Sequence, residues 1–294
     1  MPIKILSDFD GVWTDQAIEA ESVRLYMVAE AARLAAMPAN RALAHFAEFE
    51  RCTRSRPREF GWAPDGRITA YVDEDPFCIA NSIAAYLSQA EGEVESRFRG
   101  AILDGGYETV TAFADHCFLT ATANYRTLHP PALVPETKAV IDALAARGDD
   151  VVVVSNSAPD KLIGWFRACG IDAGEADHHA LRIRGSAGKF ILGESDQSIE
   201  VGGRRIHVDR PKYRAIIAEE TPDLIIGDVF SLDLALPHVM RSEDAPGAPR
   251  SLVLRRHDHT PDWIESTRAE GAIDVVVDGV GELPGLAEQL ERGR

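Results

Sequence analysis

The sequence predicts an α/β fold: a doubly wound parallel sheet interrupted by a long, mainly helical insert. Two observations carry this reading. Short runs such as VVVVS at 151–155 are continuously apolar, as strands covered on both faces require. Segments with helical periodicity alternate with these runs in the second half of the chain, and a lone strand at its start is set apart from them.

In chain order, residues 3–7 make the first strand. Helical patterns follow at 17–37, which ends before Pro38, and at 40–52. RSRPREFGWAPDGR is a polar break, after which 76–89 and 108–128 again read as helix. HPPALVPE, residues 129–136, ends the insert. The stretch 136–148 is a helix whose closing glycine suits a C-terminal cap, and it leads into the 151–155 strand. DKLIGWFRACG is the next helix, and SIEVGGRRIHV at 198–208 is a hairpin turning at Gly202–Gly203. YRAIIAEE, 213–220, is a helix leading to the strand LIIGD. SLVLRR at 251–256 and DVVVDG at 274–279 add strands, and part of GELPGLAEQLERG forms the last helix. Residues 1–15 and 130–294 therefore form one core, with 16–129 inserted as a helical second domain.

Composition narrows the function. The chain has 31 basic and 47 acidic side chains and a formal charge of −16, which argues against nucleic-acid or anionic-membrane binding as a general property. No apolar run is long enough to span a bilayer, and the first residues lack the features of a secretory signal. Cys52, Cys78, Cys117 and Cys169 form no CxxC pair, so the expectation is a cytoplasmic protein with reduced thiols.

Three strand candidates end in polar residues: ILSDFD, VVVVSNS and LIIGD. In an open parallel sheet the carboxyl ends of the strands share one rim, so Asp8, Asp10, Ser155, Asn156 and Asp228 can meet there. Asp8 and Asp10 share a face if the backbone stays extended, and Gly11 permits close approach of the backbone to a ligand. Such a pair can bind Mg²⁺ and direct an oxygen at an electrophile; the plain alternative is a solvated strand end with an Asx turn. Ser155 can donate to a phosphoryl oxygen while Asn156 orders the loop, or both can cap the following helix.

Together these residues resemble the motifs of the haloacid dehalogenase-like (HAD) superfamily of phosphohydrolases, whose core is Rossmann-like. Asp8-Phe9-Asp10-Gly11-Val12 matches its first motif, Ser155 closes the strand of the second, Lys212 in RPKYRAII matches the third, and Gly227-Asp228 the fourth. The resemblance implies that Asp8 is the nucleophile and that Asp10 protonates the leaving oxygen and then activates water. It implies that Ser155, Asn156 and Lys212 hold the phosphate, and that Mg²⁺ is bound by the Asp8 and Asp228 carboxylates and the Asp10 backbone carbonyl. Lys189 in GSAGKF competes with Lys212, which is preferred because it opens the helix leading to the Asp228 strand. Asp233 is a possible accessory to the metal shell, with loop bonding as its rival. Trp13 either faces a site entrance or packs at the domain junction.

By the same resemblance, residues 16–129 stand where helical caps occur. Arg51, Arg54, Arg56 and Arg58 either contact an acidic substrate or sit on a hydrated linker, the reading we favour. Insert aromatics form either its core or a pocket wall. His45 and His116 read as packing residues, and neither the HDH at 257–259 nor the HH at 178–179 has the partners of a zinc site. The expected activity is a Mg²⁺-dependent phosphatase acting on a small phosphorylated metabolite. A phosphomutase using the same aspartate, or a non-catalytic interaction protein with this core, is the alternative. A carbon–phosphorus hydrolase would need a cap lysine, and 16–129 contains none; dehalogenation is disfavoured by the presence of Asp10.

Overall fold

The computed structural model describes residues 2–293. The chain divides into two compact units, Met1–Asp15 with Pro131–Arg294, and Gln16–Pro130.

The first unit is built on a parallel sheet of seven strands: β1 (Lys4–Ser7), β2 (Asp150–Val154), β3 (Ala173–Gly174), β4 (Leu181–Arg184), β5 (Leu224–Gly227), β6 (Ser251–Arg255) and β7 (Val275–Val277), in the order β7-β6-β5-β1-β2-β4-β3. The chain leaves β1 toward β2 on one side and later returns to β5 on the other. β1 therefore lies at the switch point, where a crevice opens beyond the carboxyl ends of the strands. Register is tight there: Ser7 stands opposite both Val153 and Ile226, and the Asp8 N–H continues the ladder to the Ile226 carbonyl at 2.9 Å.

Just beyond β1 the Phe9 ring is fully buried against Phe166, with centroids 5.5 Å apart. Phe9 and Trp13 belong to a core with Ile5, Val153, Leu162 and Ile226, where each large side chain contributes roughly 1.5–3 kcal/mol of burial. The first turn after β1 is thus anchored in the core by Phe9 and Trp13. Helices run Thr137–Arg147, Pro159–Ala168, Pro211–Glu220, Ala235–Ser242, Asp262–Ser266 and Leu283–Arg292. The first of these stops at Gly148, whose φ of +79° is the left-handed cap that its sequence suggests.

The second unit contains five helices, Ala17–Leu34, Ala39–Arg54, Cys78–Gln89, Glu93–Asp104 and Val110–Leu128, and a two-stranded ribbon, Gly61–Trp62 with Ala70–Tyr71. Its aromatics make its core: Phe46 and Phe98 meet edge to face at 5.3 Å, and Phe49, Phe60 and Phe113 are also buried. The Glu93–Asp104 helix has no counterpart in the sequence reading. It fully buries only Phe98 and Ile102, a stripe too narrow to stand out among EVESRFRGAILD. Arg51, Arg54 and Arg56 pair with Glu48, Glu50 and Glu59 on its exposed surface, and so form a solvated face. His45 packs on Phe98 and His116 against Tyr107.

Candidate active site

Asp8, Ser155 and Asp228 are each the first residue beyond a strand, β1, β2 and β5, and the sheet register brings them to one rim. The approach of Asp228 depends on Gly11. At φ +75°, Gly11 lies so near that a Cβ there would stand 2.0 Å from Asp228 Oδ2. The Gly11 N–H is held by Thr14 Oγ1 at 3.2 Å.

Asp233 joins them. Phe230–Leu234 winds as a wide, π-type turn that folds Asp233 back over Gly227, where a Cβ would lie 2.3 Å from the Asp233 Cβ. The Val229 N–H donates to Asp233 Oδ2 at 3.1 Å, and the Tyr213 hydroxyl donates to the Asp233 backbone carbonyl at 3.0 Å. The wide turn accounts for the long spacing between Asp228 and Asp233: the extra residues are used in turning back.

The lysine at this site is Lys189, which corrects the preference for Lys212. Lys189 Nζ donates to Asp8 Oδ1 at 2.6 Å and to Asp233 Oδ1 at 2.8 Å, and its side chain is only 2% exposed. Lys212 is on the surface, where its ammonium donates to the Ser186 carbonyl. The helix it opens does lead into β5. However, the hairpin Ser198–Val201/Arg204–His207 is inserted between that helix and the loop carrying Lys189.

The loop after β4 is tied to the loop after β2. Asn156 Oδ1 accepts the Lys189 N–H at 2.7 Å, and the Ser155 carbonyl accepts the Ala187 N–H at 2.9 Å. Asn156, expected beside phosphate, thus uses its side-chain oxygen to place Lys189. Ser155 Oγ accepts the Ser157 N–H at 3.0 Å, which leaves its hydroxyl proton to donate. Trp13 is fully buried, so it faces no entrance. Its indole N–H donates to Ser7 Oγ at 2.8 Å, and the Ser7 hydroxyl donates to the Asp8 carbonyl at 2.7 Å.

Burial pushes the Asp8 carboxyl up to about 8; Asp233 and Asp10 push the same way, and Lys189 opposes them. Burial also works against the Lys189 charge, but Asp233 and Asp8 outweigh it and hold the amine above the ordinary lysine range. Next to β5, the end of β6 brings in a group that sequence reasoning missed. Arg255 donates to the Gly11 carbonyl, and His257 Nε2 lies 2.9 Å from the same oxygen and 3.7 Å from Asp228 Oδ2. Burial, with Arg255 and His259 beside it, lowers His257 to about 4, so the ring is neutral near pH 7. By contrast, His179 pairs with Asp172 on the surface.

Asp8, Asp228 and Asp233 each offer a carboxylate oxygen, and these atoms lie within 4.8 Å of one another. Among the described residues no other group of three or more such side chains is gathered so closely. An all-oxygen, all-carboxylate set matches a hard divalent cation such as Mg²⁺ and lacks the thiolate or imidazole ligands typical of zinc. One lysine among three carboxylates leaves net negative charge for a cation to offset.

No family model and no curated protein matches this chain. Among solved structures it is similar to YfnB from Bacillus subtilis, described as a HAD-hydrolase bound to magnesium, at 15% identity over 98% of this chain and 100% of that one, with a TM-score of 0.45. It is similar to a 2-haloacid dehalogenase from Pseudomonas syringae pv. Tomato DC3000, at 15% identity over 98% and 99% of the two chains, with a TM-score of 0.42. A mutant of CbbY from Rhodobacter sphaeroides, in complex with xylulose-(1,5)-bisphosphate, aligns at 12% identity over 96% of each chain, with a TM-score of 0.45.

Proposed function

We propose that this protein is a Mg²⁺-dependent phosphohydrolase that cleaves a small phosphomonoester through an aspartyl-phosphate on Asp8. The observation that carries the reading is the grip of Lys189 on Asp8 beside Asp228 and Asp233, with Asp10 following at the same rim.

In the first step the Asp8 carboxylate forms a bond to phosphorus while the bond from phosphorus to the ester oxygen breaks. Asp10 gives its proton to that departing oxygen. In the second step a water oxygen bonds to phosphorus, Asp10 takes the water proton, and the Asp8 carboxylate is released. The Lys189 ammonium and the Ser155 hydroxyl hold phosphoryl oxygens. Asp8, Asp228 and Asp233, with the Asp10 backbone carbonyl, would hold Mg²⁺, whose charge compensates that of the phosphoryl group. Asp10 has a role in both steps, and its presence favours phosphoryl chemistry over carbon–halogen cleavage.

The test is phosphate release from a panel of phosphorylated metabolites, with Mg²⁺ or EDTA, for wild type and Asp8→Asn. Mg²⁺-dependent release lost in the variant supports the reading. Release that survives in Asp8→Asn removes the nucleophile, and no release from any compound removes the activity.

A further inference from the structure

Lys161 is a cation with no part in the chemistry above, yet it is only 13% exposed and sits beside Asp10. It lies in the first turn of the Pro159–Ala168 helix, where the helix dipole disfavours positive charge, so local helix stability does not explain it. Its ammonium is 5.7 Å from the Phe9 ring centroid and 5.5 Å from that of Trp165, within cation–π range of both. From there it donates to Ser157 Oγ at 3.0 Å, and the Ser157 hydroxyl reaches Asp10 Oδ2 at 3.4 Å. Lys161 Nζ is also 3.7 Å from Asp10 Oδ1.

We propose that Lys161 is a positioning residue for Asp10: acting directly and through Ser157, it holds both carboxyl oxygens in the direction of the leaving group. The inference rests on the phosphohydrolase reading. Asp10 is one-third exposed, and Lys189 donates to Asp8 and Asp233 instead. A carboxyl group that must give a proton to one oxygen and later take one from water gains from being held in one orientation. The two aromatic rings fix the ammonium, and the ammonium and the serine fix the carboxyl.

The experiment compares Lys161→Met and Lys161→Arg with wild type on two substrates, an alkyl phosphate and p-nitrophenyl phosphate, after thermal melts establish that the variants fold. Aspartyl-phosphate formation is followed in single turnovers. Lys161→Met should slow formation from the alkyl phosphate by roughly 10–100-fold, since its leaving oxygen needs a proton. Formation from the nitrophenyl ester, whose leaving group departs as a stable anion, should change little. KM should stay within about twofold, and Lys161→Arg should recover part of the rate. In an Asp10→Asn background Lys161→Met should add no further loss. Lys161→Gln replaces Lys161→Met if the latter is unfolded.

Equal slowing on both esters, a further loss in Asp10→Asn, or a rise in KM alone would overturn the assignment. Asp8→Asn, run in parallel, separates the two levels. If it retains turnover, the phosphohydrolase reading fails. If it is inactive while Lys161→Met shows any of the overturning patterns, only the role of Lys161 fails.

Discussion

Lys189 Nζ lies 2.6 Å from Asp8 Oδ1, although the two residues are 181 positions apart in the chain. This pair joins the loop after β4 to the end of β1, and it makes one lysine serve both the half-buried Asp8 and the buried Asp233.

Lys189→Met should therefore do two kinds of damage. Removing one member of a buried ion pair is expected to lower stability by about 3–5 kcal/mol in EDTA, and Mg²⁺ should restore part of it by supplying positive charge to the same carboxylates. Turnover should fall by roughly 10²–10³. Lys212→Met, on the surface, should change turnover by less than about twofold and stability by less than about 0.5 kcal/mol. Urea melts and steady-state kinetics on the two variants check both statements.

Gly11→Ala is expected to strain the backbone and to crowd Asp228, because φ is +75° and the new Cβ would stand 2.0 Å from Asp228 Oδ2. The expected loss is roughly 1–3 kcal/mol of stability, with Mg²⁺ affinity falling as the carboxylate is displaced. Calorimetric titration with Mg²⁺ and a denaturant melt measure the two effects.

Metal binding should depend on pH in a stated direction. In the folded, metal-free protein the Asp8 carboxyl is raised from 3.8 to about 8, so between these values the folded state holds a proton that the unfolded state has released. For this group, metal-free stability is greatest on the acid side and falls as pH rises toward about 8. Mg²⁺ needs the ionised carboxylate and must displace that proton, so its affinity should rise by up to about tenfold per pH unit and level off above the Asp8 value. Asp8→Asn should remove this slope. Titrations in buffers of different ionisation enthalpy count the released proton.

Within the inserted unit, Phe98→Ala should cost about 3–5 kcal/mol, since the ring is fully buried and packs against both Phe46 and Phe49. A thermal melt of the full chain measures it.

The strands that carry the site were legible because Ile5–Leu6, Val151–Val154 and Leu224–Ile226 are apolar runs that give way to the polar Asp8, Ser155 and Asp228. β4 was not, because it reads LRIR. The charge of Arg182 is accommodated by Glu220 at 2.6 Å and Asp150 at 2.9 Å, partners distant in sequence. With β4 hidden, the loop after it had no evident anchor. Lys212, next to a clear helix, therefore looked better placed than Lys189, which a hairpin separates from that helix. Asp233 was ambiguous for a related reason: a wide turn brings it back, and spacing alone does not reveal such a turn. Arg255 and His257 reach Gly11 only through the pairing of β5 with β6, a relationship between strands that composition does not encode.

Whether Asp8 carries the phosphoryl group is measured with Asp10→Asn, p-nitrophenyl phosphate and Mg²⁺. The nitrophenyl ester can phosphorylate the enzyme without a proton from residue 10, whereas release of the phosphate by water needs the missing base. Acid-quenched protein, digested and analysed by mass spectrometry, should carry phosphate on the peptide containing Asp8, with wild type showing far less at steady state. Turnover of the ester by wild type with no phosphate on Asp8 in either protein would contradict the account, as would phosphate found on another residue.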